Sequence, residues 1–159
     1  MLIASSIADT RSLTFELSPG ILYKFGLGAA LESLLEDFEK KFDIRFEFED
    51  DGNPRPMNDE TRFLLFRAVR ELLFNIVKHA KSRTAKVTVR RTGNHLRITV
   101  EDSGEGFDAT MIPVAGDGKG FGIFSIRERL RYLGGRLEIE SEPGNGSRFA
   151  LVVPVETVS

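Results

Sequence analysis

A strand pattern in the middle of the chain runs into an acidic, glycine-rich loop. Leu96, Ile98 and Val100 alternate with polar residues, which predicts a half-buried strand, and Asp102-Ser-Gly-Glu-Gly-Phe-Asp108 follows. A carboxylate fixed at a strand end accepts hydrogen bonds from an amine, and flanking glycines let the backbone approach a ring or a phosphate. The loop favours a purine nucleotide site, although ordinary turns after strands are also rich in Asp and Gly.

A second group of glycines precedes a helical pattern further along the chain. Gly118, Gly120 and Gly122 come just before apolar residues at helical spacing, and Gly134-Gly135 ends the pattern. The apolar residues are Ile123, Ile126, Leu130 and Leu133. Because free N–H groups at a helix N-terminus favour phosphate, this segment is suited to the phosphates of the same nucleotide.

The remaining apolar periodicity predicts an α+β fold. Helical spacing begins at Leu27 and continues to Phe42, and Asn58 is a good N-cap for a long helix that reaches about Ala80. Alternation predicts strands over residues 43–50, 87–100 (a hairpin turning at Gly93-Asn94), 136–141 and 147–153. We expect a two-layer sandwich in which about three helices cover one face of a mostly antiparallel mixed sheet. The nucleotide would lie between the layers, bounded by the long helix and the glycine-rich loop.

Composition narrows the classes of function. The 159 residues suit one domain, and a formal net charge of −2 argues against non-specific binding of nucleic acid. The absence of cysteine excludes disulfides and thiolate zinc sites, and two histidines leave little for an imidazole metal cluster. No apolar run approaches the roughly 18 to 20 residues that span a bilayer. We expect a cytoplasmic domain without membrane contact, in a parent protein that is either membrane-anchored or not.

One face of the long helix carries a row of polar side chains. Glu71, Asn75 and His79 are spaced four residues apart, and Lys78 lies alongside them. The carbonyl oxygen of Asn75 is a hard ligand suited to Mg²⁺, and Glu71 has the chemistry to orient a water or accept its proton. Lys78 and His79 are suited to phosphate contacts. The alternative interpretation is an ordinary solvated helix face.

Four ordered segments resemble the ATP-binding catalytic domains of sensor histidine kinases, within the gyrase, Hsp90, histidine kinase and MutL group of ATPases. Residues 71–80 resemble the family's N box, residues 102–108 its G1 box, residues 118–122 its G2 box, and residues 144–149 its closing glycine motif. Residues 125–129, together with Leu17-Ser18-Pro19 and residues 26–31, are similar to the nitrate-response-type subfamily.

The resemblance implies a role for each matching residue. Asn75 would coordinate Mg²⁺, Asp102 would accept the adenine amine, and Ser147 would bind the water network linked to adenine. Residues from about 108 to 119 would form a mobile lid over the nucleotide. The cofactor-binding set is Asn75, Lys78, His79, Asp102, Gly104, Gly106, Phe107, Gly118, Lys119, Gly120, Phe121, Gly122 and Ser147, and the catalytic set is Glu71 and Asn75.

The resemblance also implies a division of the chain and a set of partners. Residues 1–20 resemble the end of a dimerisation helix and its linker, and residues 21–159 the ATP-binding domain. Neither His79 nor His95 resembles a phosphoacceptor, so we expect the acceptor histidine on an upstream dimerisation domain and no autophosphorylation by this chain alone. A response regulator would receive the phosphate. The parent protein would be a homodimer, and the isolated domain a monomer.

Several alternatives remain open from the sequence. The same boxes occur in serine kinases of the anti-sigma type, which act on a separate protein, and a non-catalytic module could use ATP only to control docking. Glu71 would be either a base or a group that only orients. We interpret His95 as a residue on the polar face of a strand, and Arg127 and Arg129 as surface or packing residues of the helix.

Overall fold

The computed structural model describes residues 20–53, 55–80, 84–104 and 121–155. The helices are α1 (Gly20–Phe42), α2 (Asp59–Asn75) and α3 (Phe121–Tyr132), and a π-helical turn, Ile76–Ala80, follows α2 directly. The strands are β1 (Arg45–Asp50), β2 (Thr84–Thr92), β3 (His95–Asp102), β4 (Arg136–Ser141) and β5 (Ser147–Pro154). Residues 1–19, which include the predicted end of a dimerisation helix, lie outside the described residues.

The strands form one five-stranded sheet in the order β1-β2-β3-β5-β4. β1 pairs with β2 in parallel, and the other three pairings are antiparallel. The hairpin between β2 and β3 turns at Gly93-Asn94, with Gly93 at a φ of 60°. The predicted, mostly antiparallel mixed sheet is therefore confirmed.

One face of the sheet and the apolar sides of the helices form the core. Alternate residues of the central strands are fully buried, for example Ile98 and Val100 in β3 and Leu151 in β5. They pack in one cluster with Leu72 of α2 and Ile126 of α3. Charged side chains at several of the intervening strand positions pair across the opposite face, as Arg97 of β3 does with Glu138 of β4. The fold is the predicted α+β sandwich.

The helix ends follow local chemistry. Asn58 caps α2, since its Oδ1 accepts a hydrogen bond from the backbone N–H of Thr61 at 2.8 Å. Gly26 interrupts α1 with a φ of 89°, so the helical pattern predicted from Leu27 is the part after this kink. Gly134, at a φ of 78°, ends α3 as predicted.

The end of α2 differs from the prediction. The α-helix stops at Asn75, and residues 76–80 continue as a π-helical turn with wider hydrogen-bond spacing. The α-helical part of the predicted row contains Glu71 and Asn75. The side chain of His79 lies outside the described part of the chain. None of the described helices combines the length and apolar character that crossing a bilayer requires.

Candidate nucleotide site

The strand register brings several chain ends to one edge of the sheet. Asp102, the last residue of β3, lies opposite Ala85 near the start of β2 and opposite Ser147 at the start of β5. Thr84 begins β2 four residues after Ala80, a stretch that spans at most about 14 Å. The π-helical turn after α2 therefore ends within about 14 Å of the start of β2, where Ala85 lies opposite Asp102.

Two hydrogen bonds fix the carboxylate of Asp102. The backbone N–H of Gly104 donates to Oδ1 at 2.8 Å, and the hydroxyl of Ser147 donates to Oδ2. Asp102 is only 9% exposed. Since an ionised carboxylate has about four acceptor positions, one partner on each oxygen leaves capacity for a further donor. The sequence predicted Asp102 and Ser147 as neighbours of one ligand, and the structure brings the two side chains into direct contact.

A close backbone approach supports the Asp102 corner. Gly146 precedes β5 at a φ of 74°, and a β-carbon at this position would overlap the backbone carbonyl oxygen of Asp102. Only glycine satisfies both the left-handed backbone and the lack of space. The closing glycine motif found in the sequence thus has a structural role, because it seats the β4–β5 turn against the end of β3.

Asn75 faces the first turn of α3. A β-carbon built on Gly122 would lie 3.8 Å from Nδ2 of Asn75, an ordinary van der Waals contact. The predicted metal ligand and the last glycine of the second glycine group therefore lie side by side. The positive end of the α3 dipole and the Asn75 carboxamide form a place suited to phosphate oxygens and a cation.

An ion pair that the sequence did not predict lies one helical turn from Asn75. Nη1 of Arg129 donates to Oε1 of Glu71 at 2.8 Å and joins α3 to α2. We interpreted Arg129 from the sequence as a surface or packing residue. The sequence contained no signal for this pair, because the two residues lie 58 positions apart.

Lys78 lies on a different flank of the long helix. Its Nζ is 6.0 Å from the centroid of the Phe74 ring, a cation–π distance. Phe74 packs edge-on against Phe38 of α1, with ring centroids 4.9 Å apart. The exposed Lys78 side chain therefore lies near the Phe74 ring, whereas Asn75 contacts the first turn of α3.

Five predicted site residues and the predicted lid lie outside the described residues. The five are Gly106, Phe107, Gly118, Lys119 and Gly120. Phe121 begins α3, but its side chain is not described. His95 is exposed at the start of β3, as expected. Arg127, which the sequence predicts to be a surface or packing residue of the helix, is half-buried on α3.

The described residues near Asn75 fit a magnesium ion only if the nucleotide phosphates supply some of its ligands. Across residues 20–53, 55–80, 84–104 and 121–155 no three His, Cys, Asp or Glu side chains group closely enough to hold a metal ion. Mg²⁺ commonly binds through one or two protein oxygens together with water and substrate phosphates. One Asn75 carbonyl oxygen is compatible with that pattern when phosphates supply further ligands.

Comparison with known families agrees with this geometry. A family described as "Histidine kinase-, DNA gyrase B-, and HSP90-like ATPase" matches residues 58–157. The matched region covers more than half of the chain and contains Asn75, Asp102, Gly122 and Ser147. The chain belongs to this ATPase family. The resemblance drawn from the four sequence boxes is confirmed.

Individual relatives of this ATPase domain are sensor kinases. The chain is 32% identical over 149 residues to the oxygen sensor histidine kinase NreB of Staphylococcus carnosus, covering 94% of this chain and 42% of NreB. It is 34% identical over 154 residues to an uncharacterized sensor-like histidine kinase of Chloroflexus aurantiacus, covering 94% of this chain and 26% of that protein. The chain thus spans less than half the length of either relative.

A solved structure shares the fold of this ATPase domain. The blue-light activated histidine kinase of Erythrobacter litoralis EL346 superposes with a TM-score of 0.67 at 23% sequence identity. The superposition covers 81% of this chain and 42% of that one. The likeness supports the arrangement of helices and sheet described above.

Proposed function

We propose that this chain is the ATP- and Mg²⁺-binding catalytic domain of a two-component sensor histidine kinase. The observation that carries the proposal is the Asp102 carboxylate, which Gly104 and Ser147 hold at a strand end. A second element is Asn75, which lies against the first turn of α3. Two relatives of this chain support the assignment to kinases within the ATPase family. They are NreB and the sensor-like histidine kinase of Chloroflexus aurantiacus, and each match covers 94% of this chain.

The proposed base-binding element is Asp102. Its fixed carboxylate would accept a hydrogen bond from the exocyclic amine of adenine, whereas the carbonyl oxygen of guanine at the equivalent position has no proton to donate. The Ser147 hydroxyl, which donates to Oδ2, keeps the carboxylate in one rotamer. The site would therefore distinguish ATP from GTP by a hydrogen bond that only adenine completes.

The proposed phosphate-binding elements are Asn75 and the beginning of α3. Asn75 would supply a carbonyl oxygen to Mg²⁺, and the N-terminal N–H groups of α3 would favour the phosphate oxygens. Bound Mg²⁺ would neutralise charge that develops on the phosphates during transfer. Phosphate contacts by Lys78 and His79, and a lid formed by residues 108–119, remain predictions of the family resemblance.

The proposed reaction transfers the γ-phosphate to a histidine of a dimerisation domain of the same protein. An imidazole nitrogen would attack the γ-phosphorus, the bond to the β–γ bridging oxygen would break, and ADP would leave. The ring proton would pass to a base on the acceptor domain. This chain would contribute mainly by holding the nucleotide in line with the incoming nitrogen.

The proposed partners follow from this reaction. The dimerisation domain would present the acceptor histidine, and a response-regulator aspartate would receive the phosphate. We propose a homodimeric parent protein, a monomeric isolated domain and a cytoplasmic location for the domain, without contact to nucleic acid or membrane. Sedimentation of the isolated chain at several concentrations tests the monomer directly.

A transfer assay tests the kinase assignment. The chain would be mixed with Mg²⁺, ATP labelled at the γ-phosphate and a separately supplied dimerisation domain of its parent protein. We expect acid-labile label on the acceptor, which is typical of phosphohistidine, and no label on the chain alone. Acid-stable label on a serine of a protein substrate would favour the anti-sigma-type serine kinase. Tight ATP binding without transfer to any acceptor would favour a nucleotide-controlled docking module.

A further inference from the structure

The ion pair of Glu71 with Arg129 keeps the Glu71 carboxylate engaged between α2 and α3, near the proposed phosphate site. Oε1 of Glu71 accepts a 2.8 Å hydrogen bond from Nη1 of Arg129, and the two side chains are only 24% and 23% exposed. Oε2 of Glu71 is buried and has no hydrogen-bond partner within the described part of the chain. One oxygen is therefore occupied, and the other is shielded from water.

Helical geometry places this pair about one turn from Asn75, the proposed Mg²⁺ ligand. Glu71 and Asn75 are four residues apart and share one face of α2, while Gly122 and Arg129 are seven apart and share one face of α3. The contacts Asn75–Gly122 and Glu71–Arg129 thus belong to a single seam between the helices. Along this seam, Glu71 lies about 6 Å from Asn75.

A free Glu71 carboxylate about 6 Å from Asn75 would favour hydrolysis of the bound ATP. In that reaction a water oxygen attacks the γ-phosphorus, its proton passes to a Glu71 oxygen, the bond to the bridging oxygen breaks, and ADP leaves with inorganic phosphate. General-base assistance of this kind accelerates reactions by about 10² to 10⁴-fold. For a kinase, the same reaction consumes the phosphoryl donor without modifying the acceptor.

We propose that Arg129 is a positioning residue that limits hydrolysis of bound ATP by holding Glu71 away from water. The proposal rests on the proposed function, because it presumes that ATP binds beside Asn75. Under this proposal Arg129 helps to decide whether a protein histidine or water receives the phosphoryl group. Transfer to the histidine uses a base of the acceptor domain, whereas attack by water needs Glu71 as its base. Release of Glu71 from Arg129 would raise the rate at which the domain hydrolyses ATP.

Phosphate release from Mg-ATP by the whole chain tests the proposal. Arg129→Met keeps the length of the side chain but removes its charge and donors, and we expect the turnover rate to rise about tenfold or more with little change in KM. Arg129→Lys retains a cation and should stay near the wild-type rate. The double variant Arg129→Met with Glu71→Gln should lose the gain, since the carboxylate that accepts the proton is absent.

Arg131→Met is the matched control. Arg131 lies on the same helix, is 75% exposed and pairs at 3.5 Å with Glu128 of its own helix, so its removal should leave hydrolysis at the wild-type rate. No rise, or a fall, in the Arg129→Met variant would overturn the proposal, as would a gain that persists after Glu71→Gln. If Arg129→Met and Arg129→Gln both fail to fold, the ion pair is structural and the proposal is likewise overturned.

Calorimetry of the wild-type chain with a non-hydrolysable ATP analogue separates this proposal from the proposed function. Absence of binding would contradict the proposed function itself. Normal binding by the wild type and by Arg129→Met, combined with equal hydrolysis rates, would contradict only the role of Arg129.

Discussion

The hydroxyl of Ser147 donates a hydrogen bond to the Asp102 carboxylate, and this bond joins two strand ends that are 45 residues apart in sequence. The strand register brings the pair together, because Asp102 and Ser147 face each other where β3 and β5 meet. The carboxylate is thereby fixed before any ligand arrives. A fixed acceptor loses less conformational entropy on binding than a mobile one, which favours affinity and selectivity.

Replacement of Asp102 by asparagine should weaken ATP binding selectively. Asp102→Asn removes a charged acceptor and one of its two oxygens, and the loss of a charge-assisted hydrogen bond costs about 1 to 3 kcal/mol. Titration calorimetry with an ATP analogue measures the change. Glu101→Gln is the control. Glu101 is the neighbour of Asp102 in the chain, but its side chain lies on the opposite face of the sheet and pairs with Arg148 at 3.7 Å. Equal affinities for the two variants would contradict the assignment of the base site.

Gly122→Ala should separate ligand binding from stability. Among the described residues, a methyl group at Gly122 would contact only Asn75, at 3.8 Å. Alanine is favoured over glycine within a helix by up to about 1 kcal/mol. We therefore expect a melting temperature at or above the wild-type value. Because the methyl would occupy space proposed for the phosphates, ATP affinity should fall about tenfold, or about 1.4 kcal/mol. Undiminished affinity would place the phosphates elsewhere.

Gly146→Ala should destabilise the fold more than Gly144→Ala. Both glycines have positive φ, 74° and 85°, so each substitution carries a similar backbone strain of about 1 to 2 kcal/mol. Only at Gly146 does the new β-carbon overlap the Asp102 carbonyl, which adds roughly 1 to 3 kcal/mol. Urea unfolding of the two variants gives the difference. Equal losses would show that the turn relaxes away from β3 at little cost.

Glu138 should stabilise the fold in a pH-dependent way. The Arg97 guanidinium, followed by that of Arg136, lowers the pKa of Glu138 below its ordinary value of 4.5. A lowered folded-state pKa means that the stabilisation is complete above about pH 4.5 and is lost as the pH falls through the folded value. Glu138→Gln should therefore reduce the free energy of unfolding at pH 7 more than at pH 3.

Local patterns in the sequence predicted most elements because each has a local cause. Alternation marked the strands, Asn58 capped the long helix, and glycine with positive φ ended α3 and formed the hairpin turn. The parallel pairing of β1 with β2 has no local signature, since alternation does not specify which strand lies alongside. It follows from the long helix α2, which connects the two strands.

The candidate site was only partly predictable for the same reason. Asp102 and Asn75 carry their chemistry in short motifs, so the sequence identified them as candidates. The ion pair of Arg129 with Glu71 depends on how α2 and α3 pack. The position of Lys78 depends on the contact between Phe74 and α1 and on the π-helical turn, which changes the angular spacing after Asn75. Such contacts between distant segments emerge only once the fold is known.

Titration calorimetry of the wild-type chain with a non-hydrolysable ATP analogue, with and without Mg²⁺ and in parallel with the GTP analogue, tests the central claim most directly. We predict saturable binding at one site, stronger with Mg²⁺ and weaker by at least about tenfold for the guanine nucleotide. Equal affinity for both nucleotides would contradict adenine recognition by Asp102. Absence of binding in every condition would contradict the nucleotide site as a whole.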